Sequence, residues 1–136
     1  MYYCIKYIIQ TKREVAAMDW KLDDGRPIWP QLSQQLARRI IAGGYPPGSR
    51  LPSVRELAAE AGVNPNTMQR ALAQLEQEGL ARADRTAGRL VTQDAAVLEA
   101  TRLREARGVV RDYFEAMSAL GYSRERAVEL LKEEIP

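Results

Sequence analysis

The sequence predicts a mainly α fold with one small β-hairpin: a bihelical unit with a hairpin beside it, then a two-helix tail. Three stretches carry that prediction. Leu51–Leu80 holds two short amphipathic segments joined by a glycine turn at Gly62. Two short apolar segments then flank the polar run Asp84–Arg89. From Asp94 onward an apolar residue returns every three or four positions for more than 25 residues, which is helical spacing.

At 136 residues the chain suits one ordinary domain, or a small domain with an appendage. Its 20 basic and 18 acidic residues leave a net charge of only +2. That excludes a histone-like polycation, so any nucleic-acid surface must be a local patch. A slight basic excess falls in residues 18–92 and a slight acidic one in 93–136. The single cysteine, Cys4, cannot form an intrachain disulfide, and there is no histidine. A reducing, cytoplasmic setting is expected. A zinc site or Cys-His nucleophile within one chain is nearly excluded. Phosphate-cradling glycine loops are lacking too, and Glu125, Glu129, Glu133 and Glu134 read as a solvated helix face. No metal, cofactor or catalytic residue is expected.

Residues 1–17 do not match the rest. They are expected to be a strand or frayed arm, or else sequence upstream of a start at Met18. The run Tyr2–Ile9 is apolar but too short to span a bilayer, and no membrane partner is expected. Asp19–Pro27 is polar and turn-rich, a lead-in loop. Ile28, Leu32, Leu36 and Ile40 then mark an amphipathic helix that ends at Gly43-Gly44. Tyr45-Pro46-Pro47-Gly48 reads as a rigid turn.

Ser53-Val54-Arg55-Glu56 is a capping box, in which the serine oxygen and the glutamate carboxylate each satisfy the other's free backbone N–H. Val54, Leu57, Ala58 and Ala61 form the apolar face of the helix that follows, and the two alanines allow close approach of a second helix. Gly62 supplies a left-handed turn residue. Asn64 caps the second helix, Pro65 fits its first position, and Gly79 with Leu80 ends it in a Schellman arrangement. Two helices of this size with one glycine turn are the helix-turn-helix pattern. Strands are expected at Leu80–Ala83 and Leu90–Thr92, with Asp84–Arg89 as the loop of a hairpin wing. The head is therefore a winged helix-turn-helix over residues 18–92.

In the tail, residues 93–136, Leu103, Ala106, Val110, Tyr113, Met117 and Leu120 recur at spacings of 3, 4, 3, 4 and 3. That is an a/d seam of about two and a half heptads. Gly121 breaks it, and Ser123 caps a last helix with Ala127, Leu130, Leu131 and Ile135 on its apolar side. Packing within the chain is the plain use of such a seam. With Phe114 and Val109 beside it, the stripe exceeds what one small domain needs, which favours a homodimer through these residues together with Leu130 and Leu131.

The second helix should face outward with Asn66, Thr67, Gln69, Arg70 and Ala73. Its tip is expected to offer short polar side chains and free backbone N–H groups. Such a tip suits a DNA phosphate, and Asn or Gln can bond an adenine edge in the major groove. A helical hairpin with an inert polar face fits the spacing equally well. Arg55 is expected at a groove edge, against the plain alternative of pairing with Glu56 or Glu60. Arg82, Arg85 and Arg89, with Thr86 and Gly88, suit a wing that grips phosphates or enters the minor groove, against a merely solvated turn. A protein–protein adaptor is the alternative class, and an enzyme acting through the Tyr113 or Tyr122 hydroxyl is a third.

At several fixed spacings the chain resembles the GntR winged helix-turn-helix regulators. Pro27-Ile28 with its helix, Gly43-Gly44, Pro47 to Ser53, Arg55-Glu56-Leu57-Ala58, Ala71-Leu72, Leu75-Glu76 and Glu78-Gly79-Leu80 carry the likeness, over about residues 26–92. Val63-Asn64-Pro65-Asn66-Thr67 and the short two-helix tail look like the YtrA subfamily. The resemblance implies a double-stranded DNA operator as partner, a homodimer built on the tail, repression of operons that often include ABC transporters, and no large effector domain. An effector, if there is one, is left unidentified. It implies DNA contacts at Arg55, at Asn64, Pro65, Asn66 and Thr67, at Gln69 and around Gly88. Relatives often carry arginine at the positions of Pro65 and Gln69 and glutamate at that of Arg70, which would shift a phosphate contact onto Arg70. Their wing is usually richer in glycine than Arg85-Thr86-Ala87-Gly88.

Overall fold

The computed structural model describes residues 19–135; the expectation for residues 1–17 lies outside them. In chain order the elements are α1 (Ile28–Ile41), α2 (Val54–Ala61), α3 (Pro65–Gln77), strands β1 (Ala81–Asp84) and β2 (Gly88–Val91), α4 (Ala95–Ala119) and α5 (Arg124–Glu134). The chain divides into two units, one running through Thr101 and the other from Arg102 onward, with the boundary inside α4.

The first unit is built where the apolar spacing placed it. Leu32, Leu36 and Ile40 of α1 meet Leu57 and Ala58 of α2 and Met68, Ala71, Leu72 and Leu75 of α3 in one buried cluster. Of these, Leu32, Leu36, Leu57, Met68, Ala71, Leu72 and Leu75 are fully excluded from solvent. The boundaries follow from capping. Ser53 Oγ accepts from the Glu56 N–H at 3.1 Å, and the Glu56 carboxylate accepts from the Ser53 N–H at 2.9 Å. Gly62 takes φ +68, where an L side chain would be strained. The Leu80 N–H reaches the Leu75 carbonyl at 3.0 Å past Gly79, completing the Schellman ending.

The hairpin is shifted by about a residue from its expected place. Ala81 pairs with Val91 and Asp84 with Gly88, so Asp84 and Arg89 lie in strands rather than in the loop, and the turn is only Arg85–Ala87. Asp84 explains the shortening. Its Oδ1 accepts from the Thr86 N–H, the Thr86 hydroxyl and the Ala87 N–H, each at 2.9 Å, and so closes the turn from its first residue. These same bonds, the Ala87 N–H foremost, hold the Asp84 carboxyl below its ordinary value.

Two features of this unit have no local signature. The Gly48–Leu51 segment lies along β2: the Gly48 and Leu51 N–H groups donate to Val91 and Arg89 carbonyls at 2.9 Å, the Val91 N–H donates to Ser49 at 2.8 Å, and Arg50 bridges Leu90. The lead-in loop is tied down as well. The Gln35 side chain bonds both the N–H and the carbonyl of Lys21, and Gln31 does the same for Asp23. Trp20 and Leu22 thereby pack on the core, and the buried Arg39 guanidinium stacks 3.9 Å over the Trp20 ring while pairing with Glu60 at 3.4 Å.

In the second unit the end of α4 and α5 are held by a few specific contacts. The Tyr113 hydroxyl donates to the Ala127 carbonyl at 2.7 Å. Tyr113 and Phe114 meet edge to face at 5.5 Å, and Arg124 lies 4.6 Å over the Phe114 ring. Ser123 caps α5 and Gly121 ends α4 with φ +91. Among the described residues of this unit only Ala127 is buried. Leu131 and Ile135, expected on the packed side of the last helix, are exposed.

Candidate nucleic-acid interface

The tip of α3 is set by Asn64 and Pro65. Asn64 Oδ1 accepts from the Asn66 N–H at 2.8 Å, and the Thr67 N–H donates to the Asn64 carbonyl at 3.0 Å. Pro65 has no N–H. The expectation of free backbone N–H groups at this tip is therefore corrected: those of Asn66 and Thr67 are already engaged by the cap. What the tip presents is side chains, with Asn64, Pro65, Asn66 and Gln69 exposed and Thr67 half-buried. The carboxamides of Asn66 and Gln69 carry the donor–acceptor pairs that match an adenine edge.

Arg55 lies exposed in the first turn of α2. Of the two acids expected to pair with it, Glu56 closes the capping box and Glu60 pairs with Arg39. Arg55 has no ion-pair partner among the described residues. An exposed cation without an ion-pair partner is chemically able to meet a phosphate or a guanine edge.

The remaining basic residues divide. Arg85 is exposed at the hairpin turn. Gly88 follows it with φ +83, and the Arg50 Nε lies 3.8 Å from where a Gly88 Cβ would stand. Arg50, adjacent to the Pro47-Gly48-Ser49 turn, thus joins the wing, a placement that sequence reasoning missed because it depends on the pairing of Arg50 with Leu90. Arg70 is exposed, yet its guanidinium stacks 4.5 Å over the Trp29 ring of α1. Arg89 is mostly covered, and its Nε donates to Glu76 Oε1 of α3 at 2.6 Å. The structure thus brings Asn64–Thr67 and Gln69 together at one tip and Arg50, Arg85 and Gly88 at the hairpin, and turns Arg89 onto α3.

The tail residues expected at a dimer seam also divide. Leu103, Val110 and Leu120 are exposed, the last at 73%, together with Val109 and, on α5, Val128 and Leu131. Ala106 is exposed as well, while Tyr113, Phe114, Met117 and Leu130 are partly covered.

Three helices with a two-stranded hairpin after the third make this head a winged helix-turn-helix domain. The family model described as "Bacterial regulatory proteins, gntR family" matches residues 30–91. The HTH-type transcriptional regulator YhcF of Bacillus subtilis is 31% identical over 115 residues, covering 85% of this chain and 95% of its own. The HTH-type transcriptional repressor YtrA of the same organism is 41% identical over 69 residues, 51% of this chain and 53% of its own. A GntR family transcriptional regulator from Listeria monocytogenes superposes with a TM-score of 0.71 at 34% identity, covering 82% of this chain and 98% of that one. The chain belongs to the GntR family. It is a transcriptional regulator with a DNA-binding domain and not an enzyme, and YtrA proteins are among its relatives. Among the described residues no helix is long and apolar enough to cross a membrane.

Proposed function

We propose that the protein is a YtrA-type repressor that binds a palindromic operator as a homodimer. Each α3 enters the major groove of one half-site, where Asn66 and Gln69 read base edges. Arg55 and the hairpin, through Arg85 and Gly88, hold the flanking backbone. The observation that carries the reading is the contrast in burial: the head closes its own core, while Leu103, Val110, Leu120 and Leu131 stay open to solvent. Large apolar side chains exposed on one short unit mark an interaction surface, and a reader of palindromic DNA needs a second copy of itself. Repression is supported by the likeness to YtrA, whose name states it. The tail would then set the separation of the two heads, and a small-molecule inducer would act by changing that separation in the cytoplasm.

The test begins with duplexes selected by the protein from a random pool. A recovered inverted repeat, bound by a dimer in sedimentation, is the expected result. Arg55→Ala and Gln69→Ala should each weaken binding. Binding that ignores salt and survives both substitutions would instead make the helix-turn-helix a docking surface for another protein.

A further inference from the structure

We infer that Glu76 and Arg89 are a positioning pair that fixes the angle of the wing against α3, so that Arg89 acts on DNA through the wing rather than by touching a phosphate. The inference rests on the proposed use of α3 and the hairpin as the DNA surface. It begins with a placement. Arg89 is on β2 and Glu76 is near the C-terminal end of α3, 13 residues away in sequence. The Nε–Oε1 distance of 2.6 Å is short even for a charge-assisted bond. The two side chains are only 20% and 33% exposed, so salt and water compete with the contact less than at an open surface.

The hairpin needs such a strut. Its strands are four residues each, and a two-stranded hairpin is marginally stable by itself. Ala81 and Val91 anchor its base in the core, and the Gly48–Leu51 segment pairs along β2. Both attachments hold one end or one edge. Arg89–Glu76 is the side-chain ion pair that ties the strands to the helix that would read the bases. Glu76 also lies two turns beyond Gln69 on nearly the same side of α3, so the rival use of Arg89 is to screen a carboxylate that would otherwise repel the DNA backbone.

Positioning, charge screening and direct phosphate contact predict different outcomes. The probe is the duplex selected by the wild-type protein, and its binding is measured across a salt series. If the pair positions the wing, Glu76→Gln and Arg89→Gln each weaken binding about tenfold, the double variant is no weaker than either single one, and the slope of log affinity against log salt is unchanged. Hydrogen exchange of the hairpin amides in the free protein should quicken in both variants while that of α1 and α3 holds. Two results overturn the inference. In one, Arg89→Gln flattens the slope by about 0.9 while Glu76→Gln does not weaken binding, which makes Arg89 a phosphate contact. In the other, Glu76→Gln tightens binding, which makes the pair a charge screen. Should Glu76→Gln unfold the head, Glu76→Asp, which withdraws the carboxylate by one methylene and keeps its charge, should weaken binding and quicken hairpin exchange if the pair positions the wing, and unchanged binding and exchange would overturn the inference. Exchange needs no DNA, so it separates failure of the strut from failure of the DNA reading.

Discussion

The head and the tail are both amphipathic and mostly helical, yet they treat their apolar residues in opposite ways. In the head the stripes of α1, α2 and α3 converge, and Leu32, Leu36, Leu57, Leu72 and Leu75 reach zero exposure. In the unit from Arg102 onward α4 and α5 cover part of Tyr113 and Met117 and bury Ala127, while Leu103, Val110, Leu120 and Leu131 remain open. Three helices and a hairpin enclose a volume; two helices can only share one seam. An apolar period in the sequence therefore says that a face will be covered, and only the number of available partners says by what.

Four measurements bear on that contrast, in falling order of effect. Leu72→Ala should cost about 2–5 kcal/mol in chemical denaturation, because the residue is enclosed on all sides and its removal leaves a cavity; a cost near zero would mean the head is not a finished core. Val110→Glu should leave the head folded but weaken self-association by about 2 kcal/mol or more, since it places a charge in the proposed seam. Sedimentation over a dilution series reads this, and an unchanged dimer would remove the tail from the interface. Arg55→Ala should weaken operator binding by roughly 1–3 kcal/mol with no loss of thermal stability, because no acid is left unpaired when it goes.

The smallest effect concerns pH. The N–H groups of Ala87 and Thr86 lower the Asp84 carboxyl below its ordinary value. A lowered group contributes its stability above the ordinary carboxylate value and loses it as pH falls through the folded one. Amide exchange at the turn should therefore quicken only below about pH 4, with α1 and α3 unaffected at first. Quickening near neutral pH would assign the turn to some other group.

Much of the head was legible because its signals are short-ranged. Ser53 with Glu56, Gly62, Asn64 with Pro65, and Gly79 with Leu80 each act within a few residues, so their spacing marked the helix ends directly. The hairpin was legible as an element but not to the residue, because the side-chain turn made by Asp84 competes with the strand propensities beside it. At the candidate site the same division holds. The exposed residues of the α3 tip follow from helical period and capping. The availability of its N–H groups was misjudged, since a good cap consumes the very donors that a phosphate would use.

By itself, then, the sequence determined the helix boundaries, the apolar faces and the order of elements, because each is a property of neighbours along the chain. Only the tertiary structure decided which cations stay free. Arg55 keeps no ion pair among the described residues, while Arg39, from another helix, pairs with Glu60. Arg70 is drawn to Trp29 and Arg89 to Glu76. The pairing of charges depends on which elements lie side by side, and that is settled by the packing of the core rather than by any local pattern.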